Sequence, residues 1–288
     1  MSPNPPTAGV LFVVATPIGN PDDLSPRAIR ALAEADCVAC EDTRRTGAML
    51  AAHRIRRPML SYFEHNEETR TPEIVARLLA GETIALVTDA GTPAISDPGY
   101  RLVRAALDAG IRVSAVPGAS AVIAALSVAG IPTNRFAFEG FLPAKAGARG
   151  KHLESLAREP RTLVFYEAGR RLGETLAAMA AALGDSREAA ILREITKTYE
   201  ETIRGSLGDL ARRFAENAAL GEVTIVVAGA ADDSAATISP PVTLEMLLAC
   251  GVSLKQASAV IAKLTGRSRR EIYQDAIKSR RAENKQCE

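Results

Sequence analysis

The sequence predicts an α/β protein made of two α/β domains and a small C-terminal helical module. Three observations lead there. From residue 10 to about residue 230, short apolar runs alternate with stretches of helical periodicity, the pattern of strands and helices stacked in layers. The alternation breaks at Ile131-Pro132-Thr133-Asn134 and resumes in a different order. Past residue 241 only helical periodicity remains.

In the first domain, residues 10–132, strands are expected at 11–15, 38–41, 59–62, 84–88 and 113–116. A helix at 26–35 opens with Ser25 as N-cap and Pro26 in the first helical position. Further helices are expected at 67–79, 100–109 and 120–129. Strand–helix alternation of this kind predicts a largely parallel sheet. In the second domain, 133–230, strands are expected at 136–138, 163–166, 189–192, 198–203 and 223–228, with helices at 150–158, 171–183 and 207–217. The short gap between the strands at 189 and 198 implies antiparallel pairing, so this sheet is mixed.

Residues 231–241 read as a linker by composition, and residues 1–9 and 282–288 as tails. The module at 242–281 orders helix, Gly251-Val252-Ser253, helix, Gly266-Arg267-Ser268, helix, which is compatible with a helix-turn-helix or with a small capping bundle. Residues 251–288 carry nine Lys or Arg against four Asp or Glu. A net charge of +1 for the whole chain therefore conceals a basic end. Hydrophobic residues at 47% and charged residues at 24% give a globular profile. With 4% aromatics and no Trp, the core has to come from Ala, Leu, Val and Ile. Neither a signal peptide nor a bilayer-spanning apolar stretch is legible, so a cytosolic location is expected.

Cys37 and Cys40 form a C-x-x-C. Zinc would need two more ligands at suitable spacing, and no second pair or His cluster exists, so no metal is expected. A redox pair would normally open a helix, whereas Asp36-Cys37-Val38-Ala39-Cys40 reads as a short buried strand.

Three loops concentrate the chemistry. One starts as the 84–88 strand ends and runs from Asp89-Ala90-Gly91-Thr92-Pro93 to Asp97-Pro98-Gly99. The second is Pro117-Gly118-Ala119-Ser120-Ala121, and the third is Thr16-Pro17-Ile18-Gly19-Asn20-Pro21. All three follow strands of the one parallel sheet, on the edge where open α/β sheets bind ligands. Small residues let a ligand approach the backbone, and Asp89 can accept from an amine or a ribose hydroxyl. The plainer reading of the first loop is a tight turn with Asp97 capping the next helix. None of the loops matches G-x-G-x-x-G or the P-loop lysine pattern, which disfavours ordinary dinucleotide or nucleoside triphosphate binding.

With these motifs the chain resembles the tetrapyrrole methylase superfamily (class III methyltransferases), whose S-adenosyl-L-methionine site lies between two α/β domains. It is similar to the branch that methylates the ribose 2′-oxygen of a decoding-centre cytidine in 16S rRNA. The matching stretches are Ala15–Asn20, Cys40-Glu41-Asp42-Thr43-Arg44, the Asp89–Gly99 loop and Pro117–Ser120. They continue with Glu139-Gly140-Phe141-Leu142-Pro143, Phe165-Tyr166-Glu167, Arg193-Glu194-Ile195-Thr196-Lys197 and Gly221-Glu222-Val223. One stretch departs from the family pattern: at Ala168-Gly169-Arg170-Arg171, Ser and His more often precede the final Arg.

The resemblance implies cofactor contacts from Pro17, Ile18, Asp89, Gly91, Thr92, Ser120 and Ala121, with Tyr166 and Thr224 closing from the second domain. It also implies a homodimer acting on 16S rRNA in the small ribosomal subunit, with no metal and no membrane. A ribose hydroxyl needs a base to share its proton. Glu41, Asp42, Glu167, Glu194 and Lys197 are candidates near strand ends, with Glu167 and Lys197 placed first. The plainer reading of each carboxylate is an ion pair with Arg44, Arg171 or Arg193. Phosphate contacts are expected from Arg44, Arg45, Lys145, Arg149, Lys151, Arg170, Arg171 and the basic C-terminal helices. Tyr62, Phe63 and Phe141 are candidate base-stacking platforms. Two other readings stay open: a tetrapyrrole C-methyltransferase of the same fold, and a non-catalytic S-adenosylmethionine-sensing nucleic-acid binder.

Overall fold

A computed structural model describes residues 8–215, 220–230 and 242–284, with side chains in the last helix described to residue 276. The expected linker at 231–241, Cys287, most of the N-terminal tail and the last four residues lie outside the described residues. The chain divides into two compact units, residues 1–230 and 231–288.

The larger unit holds two five-stranded sheets. The first contains β1 (Val10–Val14), β2 (Cys37–Cys40), β3 (Met59–Ser61), β4 (Ile84–Leu86) and β5 (Arg112–Val116). Their order is β3-β2-β4-β1-β5, with every pairing parallel. Helices cover both faces, which is why the strands read as continuous apolar runs. On one face Val14, Val38, Cys40, Ala85 and Val116 pack with Ala28 and Leu32 of α1 (Pro26–Glu34) and Leu50 of α2 (Thr43–Ala52). On the other, Leu11, Cys37, Ala39, Ile84 and Leu86 pack with Ile74 and Leu78 of α3 (Glu67–Leu79) and Leu102 and Ala106 of α4 (Tyr100–Asp108). Ser25 caps α1 as expected, accepting from Ala28 N at 3.1 Å. Helix α2 was not legible in the sequence: Asp42 caps it by accepting from Arg44 N at 2.8 Å, but Gly47 and four early polar residues blur its periodicity.

Cys37 and Cys40 belong to opposite faces of the sheet, because side chains three apart on a strand diverge. Both are buried, and burial first of all pushes the Cys40 thiol up to about 11. The C-x-x-C is a piece of core.

The second sheet contains β6 (Phe136–Phe141), β7 (Thr162–Ala168), β8 (Glu188–Arg193), β9 (Glu201–Ser206) and β10 (Glu222–Val227), in the order β6-β7-β10-β8-β9. Only β6 and β7 run parallel; the other pairings are antiparallel, so the sheet is mixed as expected. β9 begins three residues later than its apolar content suggested. Residues 194–200 form turns instead, with Lys197 N bonded to Glu194 O at 2.9 Å and Glu200 Oε2 accepting from Thr196 N at 2.7 Å.

Leu163, Phe165, Ile191 and Ile225 face α6 (Ala146–Ser155), α7 (Leu172–Leu183) and α8 (Leu207–Arg213). The opposite face, with Val164, Ala190, Leu192 and Val226, receives Val122, Ala125, Leu126 and Ala129 of α5 (Ala121–Ala129). Thus α5 follows a strand of the first sheet and packs on the second.

The smaller unit comprises α9 (Leu244–Ala249), α10 (Leu254–Thr265) and α11 (Arg269–Asn284). Thr243 and Ser253 cap the first two helices, and Gly266 ends α10 in the left-handed conformation. Ala257, Ser258, Ile261 and Ile272 are its buried side chains among the described residues.

Candidate active site

The loops after β1, β4 and β5 meet on one edge of the parallel sheet and are stitched together. Thr16 and Gly91 exchange backbone hydrogen bonds, 2.8 Å from Thr16 N and 3.1 Å from Gly91 N. Thr16 Oγ1 donates to Thr88 O at 3.1 Å, and Thr92 Oγ1 to Ala119 O at 3.3 Å. Gly91 has φ +83, a conformation in which a side chain would be strained.

The second sheet brings three segments over this edge: the end of β7, the start of β10 and the turn after β8. Gly19 lies so close to that turn that a Cβ would stand 2.5 Å from Lys197 Cγ and 2.9 Å from Thr196 Oγ1. Asn20 N donates to Thr196 Oγ1 at 3.1 Å. Four of the five non-glycine residues with positive φ among the described residues are here: Ala94 and Ser96 in the loop after β4, and Glu194 and Thr196 in the turn after β8. Strain of that kind persists where surrounding structure enforces it, and it concentrates at functional sites.

Between these walls is a cavity of about 350 Å³. Ile18, Gly91, Thr92, Ser120 and Ala121 line it from the first domain, and Tyr166 and Thr224 from the second. Pro17 and Asp89 are not on its wall. Asp89 instead accepts from Asp42 N at 3.1 Å and from Arg45 at 3.2 Å.

Both first-choice catalytic candidates line the cavity, but both are already engaged. Glu167 is 2% exposed; its oxygens accept from Ala168 N at 2.8 Å and Thr175 Oγ1 at 2.6 Å, with Arg171 3.5 Å away. Lys197 Nζ donates to Glu194 Oε1 and Glu222 Oε2, each at 3.0 Å. Burial opposes its charge, but the two hydrogen bonds prevail and its pKa stands above the ordinary lysine value. Lys197 is a held cation at neutral pH. The Glu222 backbone N–H, ahead of Lys197, holds the Glu194 carboxyl below the usual range. Asp42 pairs with Arg44 at 2.9 Å, the plainer reading offered for it.

Asp97 does not follow the plainer reading of its loop. It does not cap α4: the N-cap is Gly99, no side chain caps that helix, and Gly99 N donates to Glu67 Oε1 at 2.8 Å. Asp97 lines the cavity. Burial above all, then the charge of Glu41, pushes it up to about 6, with Thr88 opposing and Asp89 adding a little. Ile95, Ile195 and Val223 also line the cavity without having been anticipated, because nothing in their local sequence separates them from core.

Of the phosphate-contact candidates, Arg44 (90% exposed), Arg45, Lys145, Lys151 and Arg170 are exposed. Arg171 is half-buried and donates to Leu142 O at 3.1 Å and Pro143 O at 3.3 Å, which fixes the loop after β6. Arg149 needs correction. It is 5% exposed on the inner side of α6, its Nε and Nη1 have no partner, and only Nη2 reaches Glu174, at 3.4 Å. Its face of α6 is turned to α7 rather than to solvent. Tyr62 is likewise withdrawn: it is 1% exposed, with its hydroxyl 3.0 Å from Thr71 Oγ1. Phe63 packs edge-on to His65. Phe141 alone of the three combines exposure, 59%, with a place on the cavity wall, beside Tyr166 at 5.5 Å between ring centroids.

Among the described residues, no helix is long and apolar enough to cross a membrane, and no group of three or more His, Cys, Asp or Glu could hold a metal ion.

The sequence model of the Tetrapyrrole (Corrin/Porphyrin) Methylases matches residues 10–211. A protein of Xylella fastidiosa named ribosomal RNA small subunit methyltransferase I is 50% identical over 269 residues, 93% of this chain and 98% of that protein. Its namesake from Mycobacterium tuberculosis is 46% identical over 278 residues, 96% of this chain and 97% of that protein. Among solved structures, the uroporphyrin-III C-methyltransferase of Thermus thermophilus complexed with S-adenosyl homocysteine aligns with a TM-score of 0.53 at 22% identity, over 77% of this chain and 97% of that one. A conserved hypothetical protein of Aeropyrum pernix aligns with a TM-score of 0.59 at 19% identity, over 93% and 95%. The structural likenesses speak for the fold, and the sequence matches span both sheets and the cavity between them. This chain belongs to the tetrapyrrole methylase family.

Proposed function

We propose that this chain transfers the methyl group of S-adenosylmethionine to the ribose 2′-oxygen of a decoding-centre cytidine in 16S rRNA. The observation that carries the acceptor class is the 50% identity, over 93% of the chain, to a protein named as a ribosomal small-subunit methyltransferase. A cavity of about 350 Å³ lies within the usual range for small-ligand sites. Its wall suits a flat heterocycle with a polar tail: small residues and Ile18 on one side, Tyr166 and Thr224 on the other. Those residues, with Gly91, Thr92, Ser120 and Ala121, would hold the cofactor, which when bound supplies a methyl group already activated on a sulfonium.

The remaining work is placement. Holding the ribose oxygen in line with the methyl and excluding water can supply roughly 7–11 kcal/mol of the barrier. Lys197, held charged, puts a fixed cation on the wall. Glu167 ties β7 to α7 and to Arg171, which in turn holds Leu142 and Pro143 below Phe141. In this reading both are positioning residues. Arg44, Arg45, Lys145, Lys151 and Arg170 bind phosphates, together with the basic C-terminal helices. Homodimer formation and a cytosolic location belong to the same proposal.

The test is methyl transfer from labelled S-adenosylmethionine to 30S subunits and to naked 16S RNA from a strain lacking the gene, followed by nuclease mapping. Label on one ribose 2′-oxygen is expected. Transfer to uroporphyrinogen but to neither RNA would replace the acceptor with a tetrapyrrole. Cofactor binding with no turnover on any of the three would favour a sensor.

A further inference from the structure

We propose that Asp97 is a catalytic residue: its carboxylate takes the proton of the ribose 2′-hydroxyl during methyl transfer. The inference rests on the reading of the acceptor as a ribose oxygen.

Asp97 lines the cavity with Tyr166, Glu167, Lys197 and Glu222 as the other titratable groups. Elimination among these starts from their partners. Glu167 has both oxygens filled within the protein, and Lys197 is a protonated ammonium clamped by Glu194 and Glu222. Burial raises the Tyr166 hydroxyl above its ordinary value, so it stays neutral near pH 7. Glu222 is bound to Lys197 at 3.0 Å and is 78% exposed.

Asp97 differs from all four. Its loop is tied at several points: Ser96 has φ 61, Pro98 follows, Ala94 N donates to Pro98 O at 3.2 Å, and Gly99 N is fastened to Glu67. Helix capping does not account for it. Its polar neighbour is the Thr88 hydroxyl, which has one proton to share between Asp97 and Glu41, 3.1 Å away. The charged groups around it are Glu41 after β2, Asp89 after β4 (paired with Arg45), and Glu67 of α3 (3.7 Å from Arg101). Tyr166 of β7 faces it across the cavity. A carboxyl pushed up to about 6 is ionised at neutral pH yet more basic than a solvated aspartate, which suits a general base.

In the step, the 2′-oxygen forms a bond to the methyl carbon while the carbon–sulfur bond breaks. The electron pair of that bond goes to sulfur, whose positive charge is cancelled. The hydroxyl proton passes to Asp97 and then to water, leaving a 2′-O-methyl ribose and a neutral thioether.

The experiment compares the full-length protein and its Asp97→Asn variant in single-turnover methyl transfer to unmodified 30S subunits between pH 5 and 9, with cofactor affinity measured by calorimetry. We expect the rate of the variant to fall by about 10²–10⁴, with cofactor affinity within threefold. The wild-type rate should rise with pH and level off above about 6, and the variant's residual rate should lack that limb. An Asp97→Asn rate within threefold of wild type overturns the role of Asp97 while leaving the acceptor assignment standing. If the variant does not fold, the wild-type profile decides: a flat rate from pH 5 to 8 overturns the proposal. Wild-type protein that transfers nothing to subunits overturns the acceptor reading itself, and the role with it.

Discussion

Placing a single methyl group at Gly19 tests how the two sheets are held over the cavity. In Gly19→Ala the new Cβ would stand 2.5 Å from Lys197 Cγ, 2.9 Å from Thr196 Oγ1 and 3.1 Å from Ile195 O. The lysine stem can move, but the threonine and the carbonyl belong to a turn already strained at Glu194 and Thr196. Overpacking of this kind costs about 1–3 kcal/mol. If the turn withdraws, the Asn20 N to Thr196 Oγ1 hydrogen bond goes too, which adds about 1 kcal/mol. The total is about 2–4 kcal/mol, and with a urea slope of about 3 kcal/mol/M the unfolding midpoint falls by roughly 1 M. Ile195 and Lys197 line the cavity, so cofactor affinity should fall at least about fivefold in the same variant, close to 1 kcal/mol. Gly150→Ala is the control. It lies inside α6 with nothing within 4 Å of the added Cβ, and should gain roughly 0.5–1 kcal/mol from helix propensity. Urea unfolding and titration calorimetry read both quantities. A Gly19→Ala protein with the wild-type midpoint and affinity would show that the turn after β8 does not brace the cavity.

Other outcomes can be checked independently. Arg149→Met should leave stability equal or raise it by about 1–2 kcal/mol, because two buried N–H groups without partners disappear and an apolar stem of similar length remains; affinity for 30S subunits should not change, and a loss there would restore Arg149 as an RNA contact. Phe141→Ala should raise the KM for subunits about 5- to 150-fold, the equivalent of 1–3 kcal/mol of base stacking, with cofactor affinity intact and Phe141→Trp close to wild type. Arg44→Ala should reduce the salt dependence of subunit binding by about one phosphate contact, measured as the slope of log affinity against log salt.

Much of the framework was legible because local composition decides it. The strands of the first sheet are apolar runs that a doubly covered parallel sheet requires, and Ser25-Pro26 marks a helix start whatever surrounds it. The three loops share one sheet edge because strand–helix alternation makes the sheet parallel, and seven of the nine cofactor candidates line the cavity. Chemistry at single side chains was less legible. Asp97 sits where a helix cap would be expected, yet the backbone N–H of Gly99 is held by Glu67, 32 residues before that glycine. Arg149 looks like its exposed neighbours Lys145 and Lys151, and only the packing of α6 on α7 buries it. Cys37 and Cys40 look paired, and the strand sends them to opposite faces.

Which elements form was thus determined by the sequence itself, since propensity, capping and apolar periodicity act over a few residues. Which groups face the cavity was decided only by the tertiary structure. The walls that enclose it come from segments as far apart as Asn20 and Thr196, 176 residues distant in the chain, and a charge is buried, paired or left available only when such segments meet.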